Sequence, residues 1–170
     1  MSMVKYSMES LPESVMSPRS ILKNLNRVIE RNVDSSMFVT MFYTQYFPEN
    51  GRFRYASAGH EPGFYFNFKE QQFKEIHTKG LVLGVLPEVS FEQRELYLDV
   101  GDMIILLTDG VTECRKGDRF IEMNDVLQVI KSYQYLPAQD IVDHVFKYFE
   151  SLQNFQLRDD FTLIILRKDV

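Results

Sequence analysis

Apolar residues recur at two different spacings along this chain, and the change of spacing near residue 38 separates helices from strands. Met1, Val4 and Met8 stand at helical intervals and stop at Leu11-Pro12, which predicts a short first helix over residues 1–10. Ser17 as N-cap and Pro18 at the first helical position predict a second helix. Its apolar stripe is Ile21, Leu22, Leu25, Val28 and Ile29, ending near Val33. From Phe38 the period falls to two, and β-branched and aromatic residues take over. Residues 38–47 and 52–57 flank Pro48-Glu49-Asn50-Gly51, a hairpin signal. Strands at residues 64–68 and 72–77 follow around a polar turn at Glu70-Gln71. Four strands in succession predict one antiparallel meander.

Residues 80–87 form a connection punctuated by Gly80 and Gly84, and the alternation from Val89 to Leu98 predicts an exposed strand. Val100-Gly101-Asp102 then turns the chain into residues 103–108. These are apolar throughout, as in a central strand covered on both faces. Beyond Glu113, the polar stretch from Arg115 to Arg119 reads as loop. Helices are predicted over residues 124–132 and from Pro137 onward, the latter burying Ile141, Val142, Val145, Phe146, Phe149 and Leu152. Residues 154–158 connect to a last strand over residues 161–167. Helices, then antiparallel strands, then helices imply an α+β fold with helices outside sheets, in a single domain spanning residues 1–170.

Composition narrows the functional classes. The content of 45% hydrophobic and 14% aromatic residues suffices for a packed core. A net charge of -5 and the lack of any Lys/Arg cluster argue against nucleic acid as a partner. One cysteine, Cys114, rules out an internal disulfide within the chain. No charged-then-apolar leader and no apolar run of membrane-spanning length are present, so a cytoplasmic protein with no membrane partner is expected.

Candidate chemistry sits at two strand ends. Asp109-Gly110 follows the apolar strand of residues 103–108, and Asp159-Asp160 precedes the apolar strand of residues 161–167. Taken separately, each reads as a solvated turn. Taken together, they can deliver carboxylates to one rim of a sheet, as a hard divalent cation requires. His60, in Ser57-Ala58-Gly59-His60-Glu61-Pro62, fits better as a loop-holding residue than as a ligand. Ser57 lacks the Gly-x-Ser-x-Gly setting of a hydrolase nucleophile, His77 and His144 stand alone, no Cys/His spacing suits zinc, and Cys114 has no neighbouring base.

Four ordered segments carry a family likeness: Tyr55 to Pro62, Gly80 to Gly84, Thr108 to Glu113, and Asp159 to Leu163. Together they resemble the bacterial, SpoIIE-like branch of the metal-dependent type-2C serine/threonine phosphatases. The resemblance implies an α-β-β-α layered sandwich and two Mn²⁺ or Mg²⁺ ions, with a metal-bound water as attacking group and no catalytic side chain beyond it. By motif position it makes Asp109 and Asp159 metal ligands, with Gly110, Asp160, Gly59 and His60 supporting the loops. It implies a phosphorylated anti-sigma-factor antagonist as substrate, activation of the sigma-B general stress response, and a kinase-like activator bound through a further N-terminal region. A homodimer is also compatible with it. By the same analogy, residues 1–33 form switch-like helices and residues 38–170 the sheets and covering helices. The family's earlier segment, with its Gly-Asp and Asp-Val-x-Gly-Lys-Gly elements, has no counterpart in the chain. The domain is therefore expected to be incomplete at its N-terminus and the isolated chain inactive. A non-catalytic regulatory or binding module that retains the scaffold is the alternative.

Overall fold

A computed structural model describes residues 2–9, 16–32, 34, 37–111, 115–116, 119–152 and 160–170, with the backbone alone at residues 2, 3, 9, 111, 115, 116, 119 and 120. In chain order the elements are α1 (Ser2–Glu9), α2 (Pro18–Asn32), β1 (Met41–Phe47), β2 (Arg52–Ala58), β3 (Gly63–Asn67), β4 (Gln72–Ile76), β5 (Arg94–Tyr97) and β6 (Met103–Leu107). A 3-10 turn (Asp109–Val111) follows, then β7 (Arg115–Lys116), β8 (Arg119–Phe120), α3 (Met123–Ser132), α4 (Ala138–Glu150) and β9 (Leu163–Arg167). The fold is α+β, with two larger antiparallel sheets and accompanying helices.

The chain divides into two compact units, Met1–His60 with His77–Tyr97, and Glu61–Ile76 with Leu98–Val170. The first holds the sheet β1-β2-β5 and the second the sheet β4-β3-β6-β9. The four strands over residues 41–76 are therefore two hairpins in different sheets, not one meander. Polar, turn-forming Gly59-His60-Glu61-Pro62 ends the first pairing, and Gly59 adopts φ +65 there. The free side of β2 is taken by β5 from far downstream, with Arg52 opposite Tyr97 and Tyr55 opposite Arg94.

In the first unit, α2 lays Ile21, Leu22, Leu25 and Ile29, all fully buried, against Tyr43, Ala56, Ala58 and Leu83. Burial of each such aliphatic side chain stabilises by about 1.5–3 kcal/mol. The predicted stripe is correct except that Val28 is only half-buried and its place is taken by Asn26, 1% exposed. The Asn26 amide donates to Leu86 O at 2.8 Å, and its Oδ1 accepts the Gly84 N–H at 2.9 Å, so the polar group is satisfied by the backbone of the 80–87 connection. At the helix start the Ser17 hydroxyl pairs with that of Ser20 at 2.9 Å, while the Ser17 carbonyl accepts the Ser20 and Ile21 N–H groups. The exposed side of α2 carries Arg19, Lys23, Arg27 and Arg31, one cation every four residues. This is a Lys/Arg cluster that the linear sequence conceals, because a helix brings residues four apart onto one side.

In the second unit, β6 lies between β3 and β9, and Met103, Ile104, Ile105 and Leu107 are buried. Met103, Ile105 and Leu107 pack with Val126, Ile130, Ile141, Val145 and Phe149 from α3 and α4. On α4, Phe146 is exposed and Val142 half-buried, so the buried face is narrower than the apolar stripe. The expected loop at residues 115–119 contains a short ladder instead, Arg115 opposite Phe120 and Lys116 opposite Arg119. Asp102, at the entry to β6, is 1% exposed. Its Oδ2 accepts the Tyr65 hydroxyl at 2.7 Å and the Asp99 N–H at 2.9 Å, and its Oδ1 accepts the Phe68 N–H at 2.8 Å. Burial, and then the bond to and charge of Asp102, push the Tyr65 hydroxyl far above the usual tyrosine range. Residues 153–159, which include the expected connector, lie outside the described residues.

Candidate metal centre

The rim of the second unit is built by the pairing of β6 with β9. The two strands run antiparallel with Leu107 opposite Leu163, so the residues that follow β6 meet those that precede β9. Continuous apolar strands fix this register, because a one-residue slip would turn Ile105 and Ile165 off the face that packs on the core. Thr108 closes the end of the ladder. Its N–H donates to Thr162 O at 3.1 Å, its hydroxyl donates to Asp160 O at 3.0 Å, and the same oxygen accepts the Thr162 N–H at 3.0 Å. One side chain thus ties the residue before Asp109 to the backbone of Asp160.

Asp109 opens the 3-10 turn and is exposed, while Gly110 is buried. The Gly110 N–H donates to Asp109 Oδ1 at 3.0 Å, which orients the carboxylate at the strand end. Asp160 is also exposed. Asp159 and Cys114 lie outside the described residues. Among the described residues no three His, Cys, Asp or Glu side chains gather as a metal-binding group. An oxygen donor on an exposed strand end, oriented by a backbone N–H, suits a hard dication that keeps several waters and takes only one or two carboxylates. Asp109 needs a further donor from a neighbouring segment.

Gly59 and His60 belong to the first unit. At Gly59 the φ of +65 and the closeness of Val82, whose Cγ1 would lie 2.4 Å from an added Cβ, exclude a side chain. The Ser57 hydroxyl donates to His60 O at 3.4 Å, and the His60 ring meets Phe42 edge-on at 6.5 Å. His144 Nδ1 lies 2.7 Å from Asp140 O, and its ring lies against Tyr133 at 3.8 Å. Thr108 escaped the sequence reading, because a threonine at a strand end carries no signal of its partners across the ladder.

The two antiparallel sheets and their helices match the fold of solved type-2C phosphatase domains. The structure matches the RsbU and RsbW domains of Rv1364c from Mycobacterium tuberculosis with a TM-score of 0.81 at 22% identity, over 99% of this chain and 47% of that one. It matches the SiaA-PP2C domain of Pseudomonas aeruginosa with a TM-score of 0.78 at 16% identity, over 99% of this chain and 68% of that one. At these identities the likeness is one of fold. The chain belongs to the stage II sporulation protein E (SpoIIE) family, whose model matches residues 1–169. It is 50% identical over 170 residues to the phosphoserine phosphatase RsbU of Bacillus subtilis (strain 168), covering all of this chain and 51% of that protein. The chain thus spans about half the length of that relative. Among the described residues no helix is long and apolar enough to cross a membrane.

Proposed function

We propose that residues 1–170 are the C-terminal portion of one metal-dependent protein-serine phosphatase domain, in which Asp109 and Asp159 hold Mn²⁺ or Mg²⁺. The observation that carries this reading is the Thr108 clamp, which ties the residue before Asp109 to the backbone one residue after Asp159. Family membership supports the same reaction class. Two bound cations would supply hydroxide at neutral pH and neutralise charge developing on the phosphoryl oxygens. The chain's own residues do the positioning. Gly110 N–H orients the Asp109 carboxylate, Thr108 fixes the spacing between the two acidic turns, and Asp160 supports its loop through the carbonyl that Thr108 holds.

The substrate in this reading is a phosphoserine-bearing anti-sigma-factor antagonist, whose dephosphorylation activates a sigma-B-type general stress response in the cytoplasm. The relative named for phosphoserine phosphatase activity supports that choice. Residues 1–33 act as the switch that couples a kinase-like activator, bound elsewhere on the natural polypeptide, to the ions. Gly59 and His60 hold their loop in the other unit. No Asp-Val-x-Gly-Lys-Gly element lies within residues 1–170, so the chain by itself binds the ion pair weakly and turns over little. Phosphate release from a phosphoserine protein, measured against Mn²⁺ concentration, tests the reading in the natural polypeptide that carries these residues. Metal-dependent release that Asp109→Asn abolishes is expected. Release that persists in that variant, or that ignores Mn²⁺, sinks it and favours the non-catalytic module.

A further inference from the structure

The cation stripe on α2 is costly to the helix that bears it. Arg19 with Lys23, Lys23 with Arg27, and Arg27 with Arg31 are three like-charge pairs at i,i+4, each destabilising by about 0.2–0.5 kcal/mol. The stripe runs about 18 Å along a chain whose net charge is -5. Glu88 is the carboxylate that answers it, 3.9 Å from Lys23 and 3.6 Å from Arg27, and all three side chains are well exposed. Among the described residues no carboxylate pairs with Arg19 or Arg31.

Beside the stripe the surface is hollow, and apolar side chains alternate there with charged ones. A hollow of about 500 Å³ is walled by Arg19, Lys23 and Glu88 over a floor of Val89, Ser90 and Phe91. A second, of about 620 Å³, shares that floor and Glu88 and is lined further by Leu81 and Leu86, with Lys79 and Glu92 as an oppositely charged pair of residues at the same hollow. Those two leucines are 43% and 49% exposed, and neighbouring Val85 is 47% exposed. The Asn26 bonds to Gly84 and Leu86 fasten this apolar wall to α2, so stripe and wall form one preformed trough within the first unit.

We propose that this trough is a docking surface for an acidic amphipathic segment of a partner protein. Carboxylates spaced one helical turn apart would meet the four cations, and the apolar face of the same segment would cover Leu81, Val85 and Leu86. The charge selects an anionic partner, and the apolar wall selects a protein over a polyanion, because a phosphate backbone gains nothing from leucine side chains. The stripe lies on α2, within the residues 1–33 read above as a switch, but docking there needs no metal and is tested without turnover.

The test uses the natural polypeptide and a fluorescein-labelled synthetic helix of about 20 residues, with Glu at i,i+4 spacing on one face and Leu on the other. Parallel titrations use poly-uridylate RNA and phosphatidylserine vesicles. The acidic peptide is expected to bind, to weaken with added salt, and to lose affinity roughly tenfold in the Arg19→Glu, Lys23→Glu, Arg27→Glu variant. The milder triple glutamine variant should lose part of that affinity and guards against unfolding, which circular dichroism checks. Lys69→Glu with Lys74→Glu, in the other unit, should leave binding unchanged. Preference for RNA or vesicles, absence of peptide binding, or equal binding by the stripe variants overturns the proposal.

Discussion

Asn26 and Asp102 are buried to the same degree, each 1% exposed, yet they hold the two compact units by opposite chemistry. Asn26 both gives and takes. Its amide meets a carbonyl of the 80–87 connection and its oxygen meets an N–H. Asp102 takes only, since two backbone N–H groups and the Tyr65 hydroxyl converge on its two oxygens. A neutral amide suits a mixed set of partners, and a carboxylate suits a set made wholly of donors. The difference shows that buried polarity is specified here by the backbone it fastens, not by the overall charge of the unit.

Exchange of the two side-chain types breaks the comparison most severely. Asp102→Asn keeps the shape but turns an NH₂ toward donors, and should destabilise by about 3 kcal/mol in urea titration, close to the effect of Asp102→Ala. Asn26→Asp should cost about 2–3 kcal/mol, because a carboxylate there faces carbonyl oxygens. Asn26→Leu should cost less, about 2 kcal/mol, leaving the Gly84 N–H and Leu86 carbonyl without that partner. If Asp102→Asn proves neutral, the assignment of donors around that carboxylate is wrong.

Thr108→Val is expected to cost about 1–2 kcal/mol, through loss of both hydroxyl bonds to the strand opposite. The smallest effect concerns pH. The Tyr65 hydroxyl is raised by burial and by Asp102, so its contribution to stability is complete below the unfolded value of about 10 and is lost as pH rises toward the folded one. Tyr65→Phe should therefore flatten the alkaline limb of a stability–pH curve and leave the slope near neutrality unchanged.

Much of this was legible in the chain. The apolar run ending at Asp109 and the one beginning after Asp160 announce themselves as strands, because they are short, rich in aliphatic residues and bounded by turn-forming Gly and Asp. Their family motifs named the acidic turns. What stayed hidden depends on distant pairing. Nothing local reveals that β5 closes the sheet of β2. Asn26 looks like a solvent-facing residue of an amphipathic helix until the 80–87 connection is laid against it. Thr108 looks like an ordinary strand terminus. The cation stripe was present in the spacing of residues 19, 23, 27 and 31, but a search for contiguous charge overlooks it.

The central claim is that positions 109 and 159 serve the same ions. The most direct measurement is calorimetric Mn²⁺ titration of the natural polypeptide with Asp109→Asn, Asp159→Asn and both together. Shared ions predict that each single change weakens binding by at least about 100-fold and that the double variant is little worse than either. Independent, additive losses, or unaltered Mn²⁺ affinity in either single variant, would contradict it.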